Sequence, residues 1–289
     1  MTYQCFDVDV QQHVAHITFS RPEKRNSMIP AFWTELPILI KDLDQDGQVR
    51  AIVLSSTGPH FSSGMDVSVF GAQSQVAVDS MQERQRAARF YDTVKRLQGT
   101  FSCLEAARVP VLAAIQGGCI GAGVDLCTAC DMRYATADAF FTVYETNLAM
   151  TADVGTFPRL CKLIPDGLVR ELAYTGRAMP AAEAKEHGLI NTMYETHEEM
   201  LSSVLDIAAT IASKAPLAVY GCKKMILHAR DHTVADTLDY VGLWNAGFFQ
   251  RDEVSEAMVA AREKRAGHFS PLPSQPDEND SEESVVLPQ

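Results

Sequence analysis

Two short apolar segments, each followed at once by a glycine-containing turn, constrain the fold of this chain more than any other feature. The first is AIVLSSTGPHFSSGMDV (51–67), and the second is VPVLAAIQGGCIGAGVDL (109–126). Short continuous apolar runs that end in turn residues are typical of buried strands. The pattern therefore predicts strands at 51–56 and 109–117 within a covered sheet.

Strand and helix patterns alternate along the rest of the chain. FDVDVQQHVAHITF (6–19) has alternating apolar positions around a Gln-Gln turn, which predicts a β-hairpin. Residues 29–45 and 78–107 have apolar positions at helical spacing, and the pattern is helical throughout from about 195 to 268. We expect an α/β core followed by a C-terminal helical layer.

The charge balance limits the possible partners. Lys and Arg number 25 against 37 for Asp and Glu, which gives a formal net charge of −12. Such a surface repels phosphate backbones, so nucleic acid is not an expected partner. The last stretch, PLPSQPDENDSEESVVLPQ, is rich in Pro, Ser and acids and has little to bury, so we expect residues 270–289 to form a disordered acidic tail.

The sequence carries no recognisable membrane or targeting signal. No run of about 18 apolar residues is present, so a membrane is not an expected partner. The start, MTYQCFDVDVQQHVAHITF, resembles neither a secretion signal nor an Arg-rich transit segment. The end differs from a Ser-Lys-Leu peroxisomal address. These absences predict a cytoplasmic location.

The cysteines point to packing rather than to a metal site. There are seven, and Cys127 and Cys130 form an isolated C-x-x-C pattern. A zinc site would need a second ligand pair at suitable spacing, and the sequence offers none. We therefore interpret these cysteines as small apolar residues of a buried helix and expect no bound metal.

The two glycine turns are candidates for holding a negative charge. Small residues let the backbone approach a ligand closely, and amides at the start of a helix carry partial positive charge. Two such amides that converge on one point would stabilise an oxyanion, such as the enolate of a thioester. On spacing alone, two ordinary strand-to-helix turns remain the alternative.

Three acids stand in apolar surroundings. Asp125 lies in GVDLCTAC, where a carboxylate is costly unless it is paired or functional, and Glu145 and Asp153 flank the nearly uncharged segment NLAMTA. Carboxylates gathered in an apolar pocket have raised pKa values and could exchange protons near neutral pH. The alternatives are a helix-capping role for Asp125 and solvated loop positions for the other two acids.

These segments carry a resemblance to a known family. GGCIGAGVDLCTACDMRYATADAFF, ETNLAMTADVGTFPRL and TGRAMPAAEAKEHGLI resemble the crotonase (enoyl-CoA hydratase/isomerase) superfamily. RPEKRNSM, FSSGMDV, PLAVYGCKK and EAMVAAREKRAGHF fall in the order of that superfamily, and the likeness runs from about residue 5 to about residue 269. The resemblance implies an α/β fold, with a spiral core of strand–strand–helix units at 1–200 and a C-terminal helical oligomerisation region at 201–269.

Within the superfamily, the sequence is most similar to the Δ3,5-Δ2,4-dienoyl-CoA isomerases. The trio Asp125, Glu145 and Asp153, with the strings DVGT and LDYVGLWNAGFFQ, carries this likeness. Hydratases have glutamates at both catalytic positions and usually a glycine where Asp153 stands. One departure is GAG at 121–123, where the isomerases have three glycines, but Ala122 still offers its backbone amide.

The resemblance implies a set of site residues. Glu145 would handle the proton at C2 of the acyl chain, Asp153 the proton at C6, and Asp125 would tune the pocket, although the sequence allows the first two roles to be exchanged. The amides of Met65 and Ala122 would form the oxyanion hole. The residues expected to bind the coenzyme A thioester are Lys24, Arg25, Ser63, Gly64, Asp66 and Gly121. For Lys24 and Arg25, a solvated basic loop is the alternative.

The same resemblance implies a homotrimer or a homohexamer, and a reaction that needs no cofactor beyond the coenzyme A of the substrate. An enoyl-CoA hydratase is one alternative, although Asp125 is a methylene shorter than the glutamate that helps hold the hydratase water. A hydrolase, or an isomerase that moves one double bond, is another alternative. A catalytically silent binding subunit is the alternative that is not an enzyme. It predicts that the catalytic acids have been lost, but this sequence retains them.

Overall fold

The computed structural model describes residues 2–66, 68 and 80–276 of the chain. The strands in this part are β1 Phe6–Gln11, β2 Val14–Phe19, β3 Ala51–Ser56, β4 Val111–Ile115, β5 Gly118–Ile120, β6 Met132–Thr136, β7 Phe140–Thr142, β8 Met179–Pro180 and β9 Thr192–Tyr194. The α-helices are α1 Pro30–Gln45, α2 Ser80–Ala106, α3 Ala122–Ala129, α4 Thr156–Leu160, α5 Asp166–Thr175, α6 Ala181–Glu186, α7 His197–Ala212, α8 Pro216–Asp231, α9 Val234–Phe248 and α10 Arg251–Glu263. Short 3₁₀ helices lie at Pro22–Lys24 and Glu145–Leu148.

The larger sheet has the strand order β1-β2-β3-β4-β6-β9. Its first two strands form the expected antiparallel hairpin, and the remaining pairs are parallel. The hairpin turn lies at Gln12 and His13, one residue later than the Gln-Gln turn that the sequence predicts. Both residues have positive φ, 47° and 69°, as the twist of a two-residue hairpin requires.

Both faces of this sheet are covered, which explains the uninterrupted apolar runs of the sequence. Ile52 and Leu54 of β3 point into the main core, together with side chains from α1, α2 and α3. Ala51 and Val53 of the same strand point to the other face, which α7 covers. The α7 residues in that contact are Met200, Val204, Ala208 and Ala212.

A smaller sheet has the order β5-β7-β8. Its first strand, Gly118–Ile120, falls in the glycine-rich stretch that the sequence assigns to a turn, and it pairs in parallel with Phe140–Thr142. A three-residue strand is too short to show a periodic pattern, and only its distant partner fixes it. This small sheet leads the chain directly into α3.

Two of the boundaries expected from the sequence need correction. The division at residue 201 cuts through α7, yet this helix belongs to the core because Met200 and Val204 are both fully buried. The disordered tail cannot begin at residue 270 because Leu272 is only 3% exposed. The backbone amide of Gln275 also donates to the carbonyl of Gln45, at 2.8 Å. The rest of the expected tail, 277–289, lies outside the described residues.

One C-terminal helix, α9, lies outside the core. α9 packs against α8, and none of its residues is buried. Its exposed large apolar residues are Val234, Leu238, Leu243 and Phe248. Among the described helices, no single one is long and apolar enough to cross a membrane. α7 and α8 reach that length and apolar composition only when they are taken together, and they are bent by 108° at their junction.

Candidate active site

The two glycine turns of the sequence meet in space. Ser62 and Cys119 form an isolated parallel bridge, and the Ile120 amide donates to the Ser62 carbonyl at 3.0 Å. Gly64 follows with a φ of 81°, and a Cβ at this position would lie 2.6 Å from the Ile120 carbonyl oxygen. Only glycine therefore permits this approach of the two backbones.

The close approach brings two amides to the same place. The same hypothetical Cβ on Gly64 would lie 3.1 Å from the backbone nitrogen of Ala122, and the next amide after Gly64 is that of Met65. Ala122 is the first residue of α3, whose first amides have no acceptor within the helix. Across the described ranges, neither of these two amides donates to a protein acceptor. Both are available to a ligand oxygen.

Asp125 lies in the first turn of α3 and is fully buried. Its Oδ1 accepts hydrogen bonds from the amide and the hydroxyl of Thr156, at 2.5 and 2.7 Å. Its Oδ2 is buried and has no partner among the described residues. Burial, together with the nearby Glu145 and Asp153, raises the pKa of Asp125 to about 7, against the lowering effect of the Thr156 hydrogen bonds.

The sequence left open whether Asp125 caps a helix, and in the structure its carboxyl group caps the start of α4. Thr156 is the first residue of α4, and the residue before it, Gly155, has no side chain with which to cap the helix. The carboxylate of Asp125 therefore accepts the first amide of another helix. Capping accounts for one oxygen only and leaves Oδ2 available for chemistry.

Glu145 begins the 3₁₀ helix at Glu145–Leu148, and its carboxylate lies against the second glycine turn. A Cβ on Gly121 would be 3.2 Å from Oε1 of Glu145, so the bare backbone of this glycine makes room for the carboxylate. The other oxygen, Oε2, is buried and has no partner in the described part of the chain. Burial and the charge of Asp153 raise the pKa of Glu145.

Asp153 lies at the surface of the chain on the loop before α4. Its backbone carbonyl accepts a hydrogen bond from the side chain of Gln98 on α2, at 2.8 Å. Partial burial of its carboxyl raises the pKa of Asp153 as well. All three acids of the sequence-based trio thus favour the protonated form more than free carboxyls do. The charges of Glu145 and Asp153 raise the pKa of Asp125, and the charge of Asp153 raises the pKa of Glu145, so the three acids lie close enough to interact.

The residues expected to bind coenzyme A lie around the turn that follows β2. Lys24 and Arg25 are both exposed, in keeping with either a phosphate contact or a solvated loop. The amide of Ser63 donates to the carbonyl of Arg25 at 2.9 Å, which joins this basic turn to the loop of Gly64. Gly64 and Gly121 are buried between these elements.

Asp66 is engaged with its neighbours. Its Oδ2 accepts a hydrogen bond from the hydroxyl of Ser27 at 3.0 Å, and its Oδ1 accepts one from the hydroxyl of Ser68. The Ser68 hydrogen bonds lower the pKa of Asp66. This ionised side chain therefore ties the loop after Met65 to the basic turn.

No sequence pattern selects Asn26, yet this residue joins three parts of the site. Its side chain donates to the carbonyls of Thr57 and His60, both at 2.9 Å, and accepts from the amide of Arg21. Its own carbonyl accepts from the hydroxyl of Ser62. A buried side-chain amide that satisfies several backbone groups cannot be recognised from one sequence, because its partners are distant in the chain.

α4 is fixed by a second contact that the sequence did not reveal. Arg159 donates through Nε and Nη2 to Oε2 of Glu105 on α2, at 2.9 and 2.6 Å, and also to the hydroxyl of Ser102. The other oxygen of Glu105 accepts from Arg230 at the end of α8. This network holds the loop of Asp153 and the start of α4 against the long helix.

No group of three or more His, Cys, Asp or Glu side chains with metal-ligand geometry occurs in residues 2–66, 68 and 80–276. Cys127 and Cys130 are both buried and free, as expected for packing residues of α3 and its end. The Cys127 thiol donates to a carbonyl of its own helix.

A family model and curated relatives both match most of this chain. Residues 9–271 match the family described as enoyl-CoA hydratase/isomerase. The mitochondrial Δ3,5-Δ2,4-dienoyl-CoA isomerase of Mus musculus is 42% identical over 257 residues, which cover 88% of this chain and 78% of that protein. The peroxisomal protein of the same name from Arabidopsis thaliana is 36% identical over 271 residues, covering 94% and 98% of the two chains.

A solved structure shows the same fold. The enoyl-CoA hydratase of Bacillus anthracis superposes with a TM-score of 0.82 at 29% identity, over 92% of this chain and 99% of that chain. The α/β spiral with a C-terminal helical layer, expected from the sequence, is therefore confirmed.

The cytoplasmic location expected from the sequence is wrong. Relatives from Mus musculus and Dictyostelium discoideum are named as mitochondrial, and the relative from Arabidopsis thaliana is named as peroxisomal. The expectation rested on the absence of recognisable address patterns. Such addresses are short segments that receptors read, so the absence of a familiar pattern is not evidence for a compartment.

The paired glycine turns, the three acids and the extent of the match agree with one another. The glycine turns and the acids all lie within the matched residues 9–271. This chain belongs to the enoyl-CoA hydratase/isomerase family, the crotonase superfamily.

Proposed function

We propose that this protein is a Δ3,5-Δ2,4-dienoyl-CoA isomerase, which converts a 3,5-dienoyl-CoA into a 2,4-dienoyl-CoA. The observation that carries the proposal is the cluster of Asp125, Glu145 and Asp153, all with raised pKa values, beside two free backbone amides. The relatives with that name, at 36% and 42% identity, support the same activity.

The amides of Met65 and Ala122 hold the thioester oxygen of the substrate. When a proton leaves C2, the negative charge spreads from this oxygen along the conjugated chain. Amides aimed at the developing charge, in a site shielded from water, stabilise such a state more than they stabilise the neutral substrate. Gly64 and Gly121 serve this arrangement because each lacks a Cβ that would occupy the space.

Two carboxyl groups then move the protons. Glu145, as a carboxylate, takes the proton from C2, and the electron pair of that bond becomes part of a dienolate. Asp153, as a carboxylic acid, gives a proton to C6, so the double bonds come to rest at C2–C3 and C4–C5. A raised pKa suits both tasks, since a group that titrates near the working pH can act as base or acid. Asp125 lines the pocket and helps to keep a neighbouring carboxyl group in the right protonation state.

The adenosine and pyrophosphate end of the substrate is assigned to the basic turn. Lys24 and Arg25 are exposed and carry the positive charge that phosphates require. Ser63 and Asp66 shape the loop beside them. We expect no redox cofactor, because two proton transfers balance without any gain or loss of electrons. We also expect no metal, because the two backbone amides stabilise the negative charge.

Purified protein mixed with 3,5-octadienoyl-CoA tests the proposal through the ultraviolet absorbance of the conjugated 2,4-product. A crotonyl-CoA hydration assay run on the same preparation separates an isomerase from a hydratase. Rapid appearance of the conjugated dienoyl-CoA, with slow or no hydration, is the expected result. Hydration without isomerisation would overturn the proposal, and activity with neither substrate would favour a silent binding subunit.

We also propose that the protein assembles as a homotrimer or a homohexamer. α9 supports this proposal because none of its residues is buried in the single chain. Even its apolar residues Val234 and Leu243 are 78% and 73% exposed. Apolar helix faces of this kind are usually covered in the working assembly. Light scattering that shows a monomer at micromolar concentration would contradict it.

A further inference from the structure

The carboxyl group of Asp125 is held on one side only. Its Oδ1 accepts two hydrogen bonds from a single residue, Thr156, while its Oδ2 has no partner among the described residues. Burial of a carboxyl oxygen without a hydrogen-bond partner costs folding free energy, so such an oxygen often has a functional role. The asymmetry between the two oxygens therefore needs an explanation.

Thr156 is itself firmly placed. It is 1% exposed and begins α4, the short helix that Arg159 fastens to Glu105 on α2. Both Thr156 donors reach the same oxygen, the amide at 2.5 Å and the hydroxyl at 2.7 Å. The amide position follows from the backbone, but the second bond exists only because this residue carries a hydroxyl.

We propose that Thr156 is a positioning residue that ties down Oδ1 of Asp125 and so confines proton binding to Oδ2. This inference rests on the proposed isomerase function, in which Asp125 tunes the carboxyls that move protons. With both hydrogen-bonding directions at Oδ1 taken by donors, a proton can bind only at Oδ2. The untethered oxygen is therefore the one that exchanges protons within the cluster.

The direction of the effect on titration follows from electrostatics. Donors that bind a carboxylate favour its charged form, and the Thr156 hydrogen bonds lower the pKa of Asp125 against the raising effect of burial. The ionisable groups that face it are Glu145, Asp153 and the thiol of Cys119. Because these groups remain in place, loss of the Thr156 hydroxyl alone should raise the pKa of Asp125.

The test replaces Thr156 by Val, which keeps the shape and the amide but removes the hydroxyl. A matched control is available on α3 itself, because the Thr128 hydroxyl donates to the backbone carbonyl of Asp125 at 2.9 Å and does not bond to its carboxyl. Thr128→Val thus removes another buried hydroxyl that contacts the same residue. Thr156→Ser restores the donor and serves as the rescue.

The pH dependence of kcat is measured for each variant, and the limb that belongs to Asp125 is the one that Asp125→Asn abolishes. In Thr156→Val this limb should move to higher pH by about 1 unit, the size expected for losing one hydrogen bond to a charged group. It should stay near the native position in Thr156→Ser and Thr128→Val. A Thr156→Val profile that superimposes on the native profile would overturn the inference.

A second measurement separates this inference from the proposed function. Carbon-13 NMR of aspartate-labelled protein follows the Asp125 carboxyl directly, with Asp125→Asn identifying the signal, and needs no substrate. A titration midpoint that is equal in the native protein and in Thr156→Val refutes the role of Thr156, whatever the activity. A raised midpoint in a protein that does not isomerise dienoyl-CoA supports Thr156 and refutes only the isomerase function. Thr156→Ala repeats the comparison if Thr156→Val does not fold.

Discussion

Gly64 and Ala122 approach so closely that a Cβ on Gly64 would lie 3.1 Å from the Ala122 amide nitrogen and 2.6 Å from the Ile120 carbonyl oxygen. A side chain there would clash with backbone, which cannot move aside as a flexible side chain can. Gly64 also has a φ of 81°, where residues with a Cβ are strained. The spacing of the two amides thus depends on a missing methyl group.

The first prediction follows from this contact. Gly64→Ala should push the two turns apart and lower kcat by about 100- to 1,000-fold, the usual effect of losing one oxyanion-hole donor. Steady-state kinetics on a dienoyl-CoA measures the change. Gly99→Ala on α2 is the matched control, because a Cβ there meets nothing within 4 Å. Native activity in both variants would show that these amides do not contact the thioester.

The second prediction concerns the two proton-transfer residues. Glu145→Gln and Asp153→Asn should each lower turnover by at least about 100-fold while folding stays intact, as expected for a positioned acid or base. Deuterated water separates their roles. Asp153→Asn should still exchange the C2 hydrogen of the substrate but form no product.

Two outcomes of this experiment would change the assignment. Loss of C2 exchange with retention of C6 exchange in Asp153→Asn would interchange the two roles. Near-native isomerisation by Asp153→Asn would refute the two-acid mechanism. Circular dichroism of each variant checks that the fold is unchanged.

The third prediction concerns stability against pH. The pKa of Asp125 is raised in the folded chain to about 7, so the folded state retains a proton that the unfolded state releases near pH 4. Its contribution to stability is complete below about pH 4 and is lost as pH rises through about 7. Relative to Asp125→Asn, the native protein should therefore lose on the order of a few kcal/mol of unfolding free energy between pH 5 and pH 8.

Urea unfolding of both proteins at the two pH values measures this difference. The comparison with Asp125→Asn cancels the titration of the acids that do not interact with Asp125. A stability difference that is independent of pH would show that Asp125 is ionised throughout the range.

The fourth prediction concerns the ion pair behind α4. Burial alone would raise the pKa of Glu105, but hydrogen bonds from Arg159 and Arg230 hold it below the ordinary value. Glu105→Gln would leave a largely buried Arg159 without its counter-charge, so we expect a loss of about 3 kcal/mol in unfolding free energy. Thermal and urea unfolding measure it.

An exposed ion pair in the same chain provides the control. Arg170 and Asp166 pair at 2.7 Å, but their side chains are 60% and 64% exposed. Asp166→Asn should leave the unfolding curve unchanged, since exposed pairs contribute little. Equal effects of Glu105→Gln and Asp166→Asn would mean that the contact with Arg159 does not stabilise α4.

Much of the fold was determined by local sequence patterns. The apolar runs at 51–56 and 109–117 became β3 and β4, and the helical spacing at 29–45 became α1. These predictions succeeded because strand and helix periodicity reflect which side chains are buried, and burial is written in the order of residues. The three acids and the two glycine turns were likewise visible, because each departs from the composition of its surroundings.

Which atoms of the site are held and which are free depends on the packing of elements that are distant in the chain. The bond between Asp125 and Thr156 joins residues 31 positions apart, and the side chain of Asn26 bonds to carbonyls 31 and 34 positions away. The core role of α7 also appeared only when its apolar face met the second face of the sheet. A sequence records residue types in order, whereas the choice of hydrogen-bond partner depends on distances and directions that arise when distant elements pack together.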